Sequence, residues 1–326
     1  MTDSPPSRIT PARITVIGAG VIGLSIAHDL AVAGHDITVV ADVDTLDTVS
    51  ALAAALWFPY RSEVSPAATA ILERSLARFT ALSETSVTGV LLREGTVIER
   101  EEEPDRSWAA MAPDATSVYI TLLPGGVFPG IRATLPLIVT PKYLAWLKTE
   151  VQRLGVRFEN RTITTVDDVH ADLVIVAAGL RGGELLGDDA SVYPVRGQVV
   201  RMANPGLTEW VTDVDDPSRV TYVFPREDDV IVGGVSAAGD WNLEIDPADE
   251  ERMLARAFVL VPELKGQEIL SRAVGLRPAR PTIRLEHVPG HAVPVIAAYG
   301  HGGAGVTLSW GTAERVVQLV DEALAR

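Results

Sequence analysis

The 326-residue chain contains no cysteine, which excludes disulfides, thiolate metal sites and cysteine nucleophiles. That absence fits a reducing compartment, and a cytoplasmic location is expected. Long apolar runs are missing too. No stretch approaches the roughly 18–20 residues needed to span a bilayer, so no membrane role is expected. Cations are scarce, 28 Lys and Arg against 43 Asp and Glu, and the net charge of −15 repels nucleic acid and anionic lipid alike. Two chemistries lack their spacing. Gly234-Val235-Ser236-Ala237-Ala238-Gly239 does not have the Gly-x-Ser-x-Gly form of a nucleophile elbow. His287 and His291 are separated by Pro289 and Gly290, which forbid the helix that would aim both rings at one metal, so no metal site is expected. Asn160-Arg161-Thr162 is read as a chance glycosylation sequon, and Leu324-Ala325-Arg326 is not a peroxisomal address. Neither an internal repeat nor a low-complexity linker interrupts the chain. Its 47% hydrophobic content supports a large core in one large or two medium domains.

The richest stretch runs from residue 13 to residue 42. Ile14 to Ile17 reads as a β-branched strand, Gly18, Gly20 and Gly23 as a tight turn opening a helix near Val21, and Asp36 to Ala41 as a second strand. Each glycine has its own reason. Gly18 makes the turn, Gly20 lets main chain approach a pyrophosphate, and Gly23 lets the helix pack closely on the strand. The pyrophosphate would sit on the free N–H groups of the helix start. Asp42 follows the second strand and is placed to accept from an adenosine ribose, its charge arguing against a 2′-phosphate. A secretory signal is the rival reading, with Arg8 and Arg13 ahead of an apolar run and Ala31-Val32-Ala33 as a cleavage site. Three glycines suit a phosphate turn better, and Gly34 reads as a helix C-cap.

Residues 1–12, rich in proline, read as a loose tail. Trp57-Phe58-Pro59-Tyr60 is an aromatic cluster that is either core or a pocket wall. Ala67 to Leu82 has helical periodicity, and Val87 to Glu103 alternates as a hairpin would, turning at Glu94-Gly95. Thr140 as an N-cap, with Pro141 at the first helical position, predicts a helix that runs to a C-cap at Gly155, and Val156 to Glu159 and Leu173 to Val176 read as strands. The second is apolar throughout, as a buried parallel strand rejoining the sheet of Ile14 would be. Gly197 to Met202, Val220 to Phe224 and Val230 to Val235 predict a second, antiparallel sheet. Helices are expected from Asp246-Pro247 and over Thr312 to Leu324.

Two later features carry chemistry but leave alternatives open. Four glycines between Gly300 and Gly305 allow main chain to approach a planar ligand, or simply a turn. Arg277, stiffened by Gly275 and Pro278, is suited to bidentate capture of a carboxylate, or to a surface ion pair.

Taken together, these stretches resemble the D-amino-acid oxidase family of FAD enzymes over nearly the whole chain. The resemblance is carried by Val16-Ile17-Gly18-Ala19-Gly20-Val21-Ile22-Gly23-Leu24-Ser25, by Ala53-Ala54-Ala55-Leu56-Trp57-Phe58-Pro59-Tyr60 and by Arg196-Gly197-Gln198. Gly275-Leu276-Arg277-Pro278 with Arg280-Pro281, and Tyr299-Gly300-His301-Gly302-Gly303 with Gly305, complete it. It implies an α/β and α+β fold, with a Rossmann-like FAD-binding domain (8–60, 141–190 and 270–326) interleaved with an antiparallel-sheet substrate-binding domain (61–140 and 191–269). It also implies that Arg277 pairs with the substrate carboxylate, Tyr222 donates a second hydrogen bond to it, and the Gly303 carbonyl accepts from the amine. Val21, Ile22, Ser50, Ala55, Leu56, Gly302, Gly305, Val306, Thr307 and Leu308 fall on FAD contacts. Ile163 and Gly179 fall on the adenosine half, and Phe58 and Phe224 in the substrate pocket. The implied reaction is oxidation of a D-amino acid by hydride transfer to flavin N5, with oxygen as acceptor, giving a 2-oxo acid, ammonia and hydrogen peroxide. A homodimer is allowed.

Three departures shape the expectation further. Ala297-Ala298 stand where the family commonly has His-Asn, which removes polar contacts near the flavin. The segment from Trp210 to Tyr222 is shorter than the mammalian lid and lacks its additional tyrosine, so an open site with fast product release is expected. Relatives that oxidise D-aspartate place arginines where Asp215 and Ser236 stand. Neutral D-amino acids are therefore expected, with basic ones tolerated through Asp213, Asp215 and Asp216. The rivals are a glycine or sarcosine flavin oxidase, a D-aspartate oxidase, an NAD-dependent dehydrogenase and a non-catalytic flavin carrier.

Overall fold

The computed structural model describes residues 11–59, 65–122, 125–214, 216 and 219–325. The proline-rich start up to residue 10, Tyr60 and Asp215 lie outside these described residues. β1 (Arg13–Ile17), α1 (Val21–Val32) and β2 (Asp36–Ala41) form the expected βαβ unit, with β1 parallel to β2 from Arg13↔Asp36 to Ile17↔Val40. α2 (Pro66–Leu82) starts on a Ser65 side chain that accepts from Ala68 N, an N-cap followed by proline in the first turn. Then come β3 (Val90–Ile98), β4 (Thr116–Leu122), β5 (Gly126–Ile138), α3 (Thr140–Arg153), β6 (Arg157–Asn160), β7 (Leu173–Val176) and α4 (Gly182–Leu186). The rest comprises β8 (Tyr193–Ala203), β9 (Trp210–Asp213), β10 (Thr221–Pro225), β11 (Asp229–Gly233), β12 (Ala237–Ala238), α5 (Pro247–Leu260), β13 (Ile269–Val288), β14 (Val295–His301) and α6 (Gly305–Leu324).

Among the described residues these strands join one mixed sheet, ordered β4-β5-β3-β9-β10-β11-β8-β13-β14-β7-β1-β2-β6, with β12 on β8. β14, β7, β1, β2 and β6 run parallel to their neighbours in that set. Apart from the exposed edge strand β6, they are buried on both faces, as parallel strands are: one face packs under α1, α3 and α6, the other holds Ile17, Val40, Val174, Val176 and Tyr299. The other half is mostly antiparallel, and α5 covers Val200, Met202, Val223 and Val232 there. The two halves meet in β13, which pairs with β8 through Ala279 and then, past a register shift, with β14 from Arg284. Arg277 lies on that shared strand. No helix among the described residues is long and apolar enough to cross a membrane.

Three expectations are corrected. No hairpin turns at Glu94-Gly95: β3 runs straight through and pairs with β5 along its whole length. Gly95 is needed for space, since a Cβ there would lie 2.2 Å from the Trp210 ring. The closing helix begins at Gly305 rather than Thr312, because Gly311 is a helix–helix contact whose Cβ would meet the Ile71 carbonyl oxygen at 2.2 Å. Thr140 lies within α3 and does not cap it. Its hydroxyl donates to the carbonyls of Ala51 and Ala53 at 3.0 and 2.8 Å, tying the helix start to the cavity wall described next.

Candidate active site

The C-terminal ends of β1, β2 and β7 open into a cavity of about 590 Å³ that continues under β8, β10 and β13. That size suits a sizeable small-molecule ligand. At one end lies the glycine turn. Gly18 has φ +117°, and a Cβ there would sit 2.4 Å from the Ala177 carbonyl oxygen, so only glycine fits. Gly20, Val21 and Ile22 line the cavity; Gly23 does not, and serves packing, with the Gly18 oxygen 2.0 Å from where its Cβ would be. α1 starts at Gly20 with no side-chain cap and no acidic residue in its first turn, leaving the positive end of the helix open to an anion. Ser50 lies beside it and accepts from Val21 N at 3.1 Å. Asp42, Ile163 and Gly179, with φ +59°, line the same end. The sequence reading missed two cations there, Arg161 and Arg181. Their only signal was nearness to Ile163 and Gly179.

The middle of the cavity is walled by Ala53 to Leu56. Ala55, at φ +54°, is the one non-glycine residue with positive φ among the described residues, a conformation that costs about 1–2 kcal/mol. Its neighbours hold it: Ile138 N donates to the Ala55 carbonyl at 2.8 Å, and Trp57 N to that of Pro136 at 2.8 Å. Opposite stand Gly302, Gly303, Gly305, Val306 and Thr307, and the Thr307 hydroxyl reaches the carbonyls of Leu56 and Phe58. α6 begins here, again with no side-chain cap and no acid in its first turn, so a second positive helix end meets the cavity. Leu308 is buried in the core behind and stands outside the lining. His301 also lines the cavity. Burial pushes its pKa down to about 4, so its ring is neutral at ordinary pH, with Nε2 3.1 Å from the Thr312 hydroxyl.

At the far end the Arg277 guanidinium lies on Gly197, where a Cβ would be 2.4 Å from Nη2. Nη1 donates to the carbonyls of Val235 (3.1 Å) and, more weakly, Arg196 (3.4 Å). No described carboxylate pairs with this half-buried cation. Tyr222 lies across its cross-strand partner Gly233 and stacks on Phe224 at 4.8 Å. Phe58 packs edge-on against Trp108. Ser236 is in the wall, which Thr212, Val214 and Leu243, residues without a signal in the sequence, complete.

The acidic residues expected near the entrance are arranged otherwise. Asp213 is 6% exposed, takes two nitrogens of Arg100 at 2.8 and 2.6 Å, and does not line the cavity. Asp216 also stays outside the lining. His287 and His291 face different carboxylates, Glu322 at 3.6 Å and Asp167 at 3.2 Å.

The residues fit a dinucleotide with a flat ring system. One uncapped helix end with a Cβ-free turn suits a pyrophosphate, and a second meets the glycine-lined slot. Comparison with known proteins agrees. Residues 13–319 match the family model described as DAO, FAD dependent oxidoreductase. A D-amino-acid oxidase of Rubrobacter xylanophilus is 39% identical over 96% of this chain and 97% of its own length. A human D-aspartate oxidase is 33% identical over 95% of each chain. In structure, the glycine oxidase of Geobacillus kaustophilus superposes with a TM-score of 0.79 at 20% identity, over 96% of this chain and 95% of that one, which is a likeness of fold. Agreement over nearly the whole length places the chain in the DAO family of FAD-dependent oxidoreductases.

Proposed function

We propose that the chain oxidises neutral D-amino acids, with FAD as cofactor and oxygen as electron acceptor. The observation that carries this is Arg277: a half-buried guanidinium facing the cavity beside Tyr222, supported by main-chain carbonyls and unpaired with any described carboxylate. Such a cation is a receptor for a substrate carboxylate. Division of labour follows the sheet. Residues 8–60, 141–190 and 270–326 hold the cofactor, and 61–140 and 191–269 enclose the substrate. A cytoplasmic location, compatible with the cysteine-free sequence, belongs to the same reading.

When bound, FAD supplies the acceptor for the substrate's α-hydrogen and passes the electrons to oxygen. The protein's part is positional. Arg277 and Tyr222 fix the carboxylate, the Gly303 carbonyl accepts from the amine, and Phe58, Phe224 and Ala298 exclude water around the Cα. No side-chain base is assigned: burial lowers the His301 pKa to about 4, which makes its ring a weak base, and its Nε2 is engaged with the Thr312 hydroxyl at 3.1 Å. The imino acid that leaves hydrolyses in water to a 2-oxo acid and ammonia, and the oxygen is reduced to hydrogen peroxide.

The pocket also argues the substrate class. Beyond Arg277, the described charges in the lining are Asp42, Asp47, Arg161 and Arg181, and three of these flank the adenosine end with Asp47 on the turn after β2. Among the described residues lining the substrate end, no second arginine awaits a side-chain carboxylate, and Ser236 lines the wall. With Asp213 committed to Arg100, neutral side chains come first and basic ones second. In a panel of D-methionine, D-alanine, D-arginine, D-aspartate, glycine and sarcosine, kcat/KM for D-methionine is expected to exceed that for D-aspartate by about 10-fold or more. A preference for D-aspartate, glycine or sarcosine would overturn this assignment.

A further inference from the structure

We propose that Arg181 is a strap across the adenosine end of the cavity that slows release of the cofactor, an inference that rests on the FAD reading above. It follows β7 on the short turn begun by Gly179, while Asp42 follows β2, and β1 lies between those strands. At a strand spacing of about 4.8 Å, the side chain reaches over roughly 10 Å, past the end of β1 and the glycine turn. Nη1 then donates to Asp42 Oδ2 at 2.8 Å, and Nη2 to the Ile163 carbonyl at 2.7 Å. One guanidinium thereby joins the segments after β7, β2 and β6.

The pair lines the cavity and also faces solvent, its side chains 38% and 39% exposed, so it stands at the boundary between ligand and water. A dinucleotide on the Gly18–Gly20 turn lies inside that boundary. Asp42 keeps its second oxygen for the ribose while Arg181 fixes the carboxylate's orientation. The only other carboxylate near Arg181 among the described residues is Glu184, 3.9 Å from Nε on the following helix and outside the cavity lining. The strap must break for the adenosine to leave, so it acts on the release rate. Being exposed to water, it is weakened by salt.

The test is FAD release from the holoenzyme, followed by the rise in free-flavin fluorescence at about 20 mM and about 500 mM salt. In the wild-type protein, release quickens with salt. Arg181→Ala is expected to release FAD about five- to tenfold faster at low salt and to lose most of the salt dependence. Arg181→Lys falls between. Because Asp42 is the strap's anchor, the salt response is also lost in Asp42→Asn and falls no further in the double variant. Wild-type release from Arg181→Ala, or an undiminished salt response in it, would overturn the proposal. A wild-type protein that binds no FAD would instead defeat the cofactor reading itself.

Discussion

Replacing Arg277 with methionine lowers kcat/KM for D-alanine by about a thousandfold, while the bound-flavin spectrum stays that of the parent. The reasoning is electrostatic. Truncating a buried charge that pairs with a ligand carboxylate costs about 2–5 kcal/mol, and each 1.36 kcal/mol is a factor of ten. The site places no other described cation at this end of the cavity to take over. Arg277→Lys recovers little, because an ammonium cannot make the two-pronged contact and cannot lie flat on Gly197, where the planar guanidinium occupies the space of a missing Cβ. Steady-state kinetics with D-alanine check this. Activity within about fivefold of the parent would mean that the carboxylate is held elsewhere.

Gly18→Ala has the second large effect, and it acts on the cofactor. At φ +117° an alanine is strained, and its Cβ would meet the Ala177 carbonyl oxygen at 2.4 Å. The clash is with backbone of β7's end, which cannot step aside without breaking the contact between β7 and β1. A loss of about 2–4 kcal/mol in stability and a protein purified without yellow colour are expected. Gly34→Ala is the control. It has a similarly positive φ of +96° but nothing within 4 Å of the added atom, so it costs only about 1 kcal/mol of strain and keeps its FAD. Denaturant melts and the flavin-to-protein absorbance ratio measure both. Equal behaviour of the two variants would remove steric exclusion as the reason for Gly18.

What was readable in the sequence had local causes. β1, α1 and β2 are legible because three glycines, a β-branched run and an acid each do a separate physical task within thirty residues. β7 is legible because a strand buried on both faces needs an unbroken apolar run. Arg277 stood out through its stiff flanks, although its freedom from a carboxylate emerges only once β8 and the segment after β11 are folded against it. The misreadings share the opposite cause. Gly95 resembles a turn residue, and only the Trp210 ring, 115 positions away, reveals that it makes room. Gly311 similarly hides a helix–helix contact behind a helix-breaking residue. Asp213 reads as a free acid at the entrance because its partner, Arg100, lies 113 positions earlier. Arg181 carries no local signal, because nothing near it in the chain links it to Asp42. Motifs whose residues cooperate along the chain can be read directly; pairings made across the sheet cannot.

The central claim is that Arg277 and Tyr222 present a D-amino acid to FAD held on the Gly18–Gly23 turn. The most direct measurement is the visible spectrum of the purified protein, recorded without oxygen before and after adding D-methionine and then, separately, L-methionine. A yellow protein whose flavin bands bleach with the D-isomer alone, and return when air is admitted with formation of hydrogen peroxide, is the predicted result. A colourless protein that cannot take up FAD, or flavin bands unchanged by every D-amino acid, would contradict it.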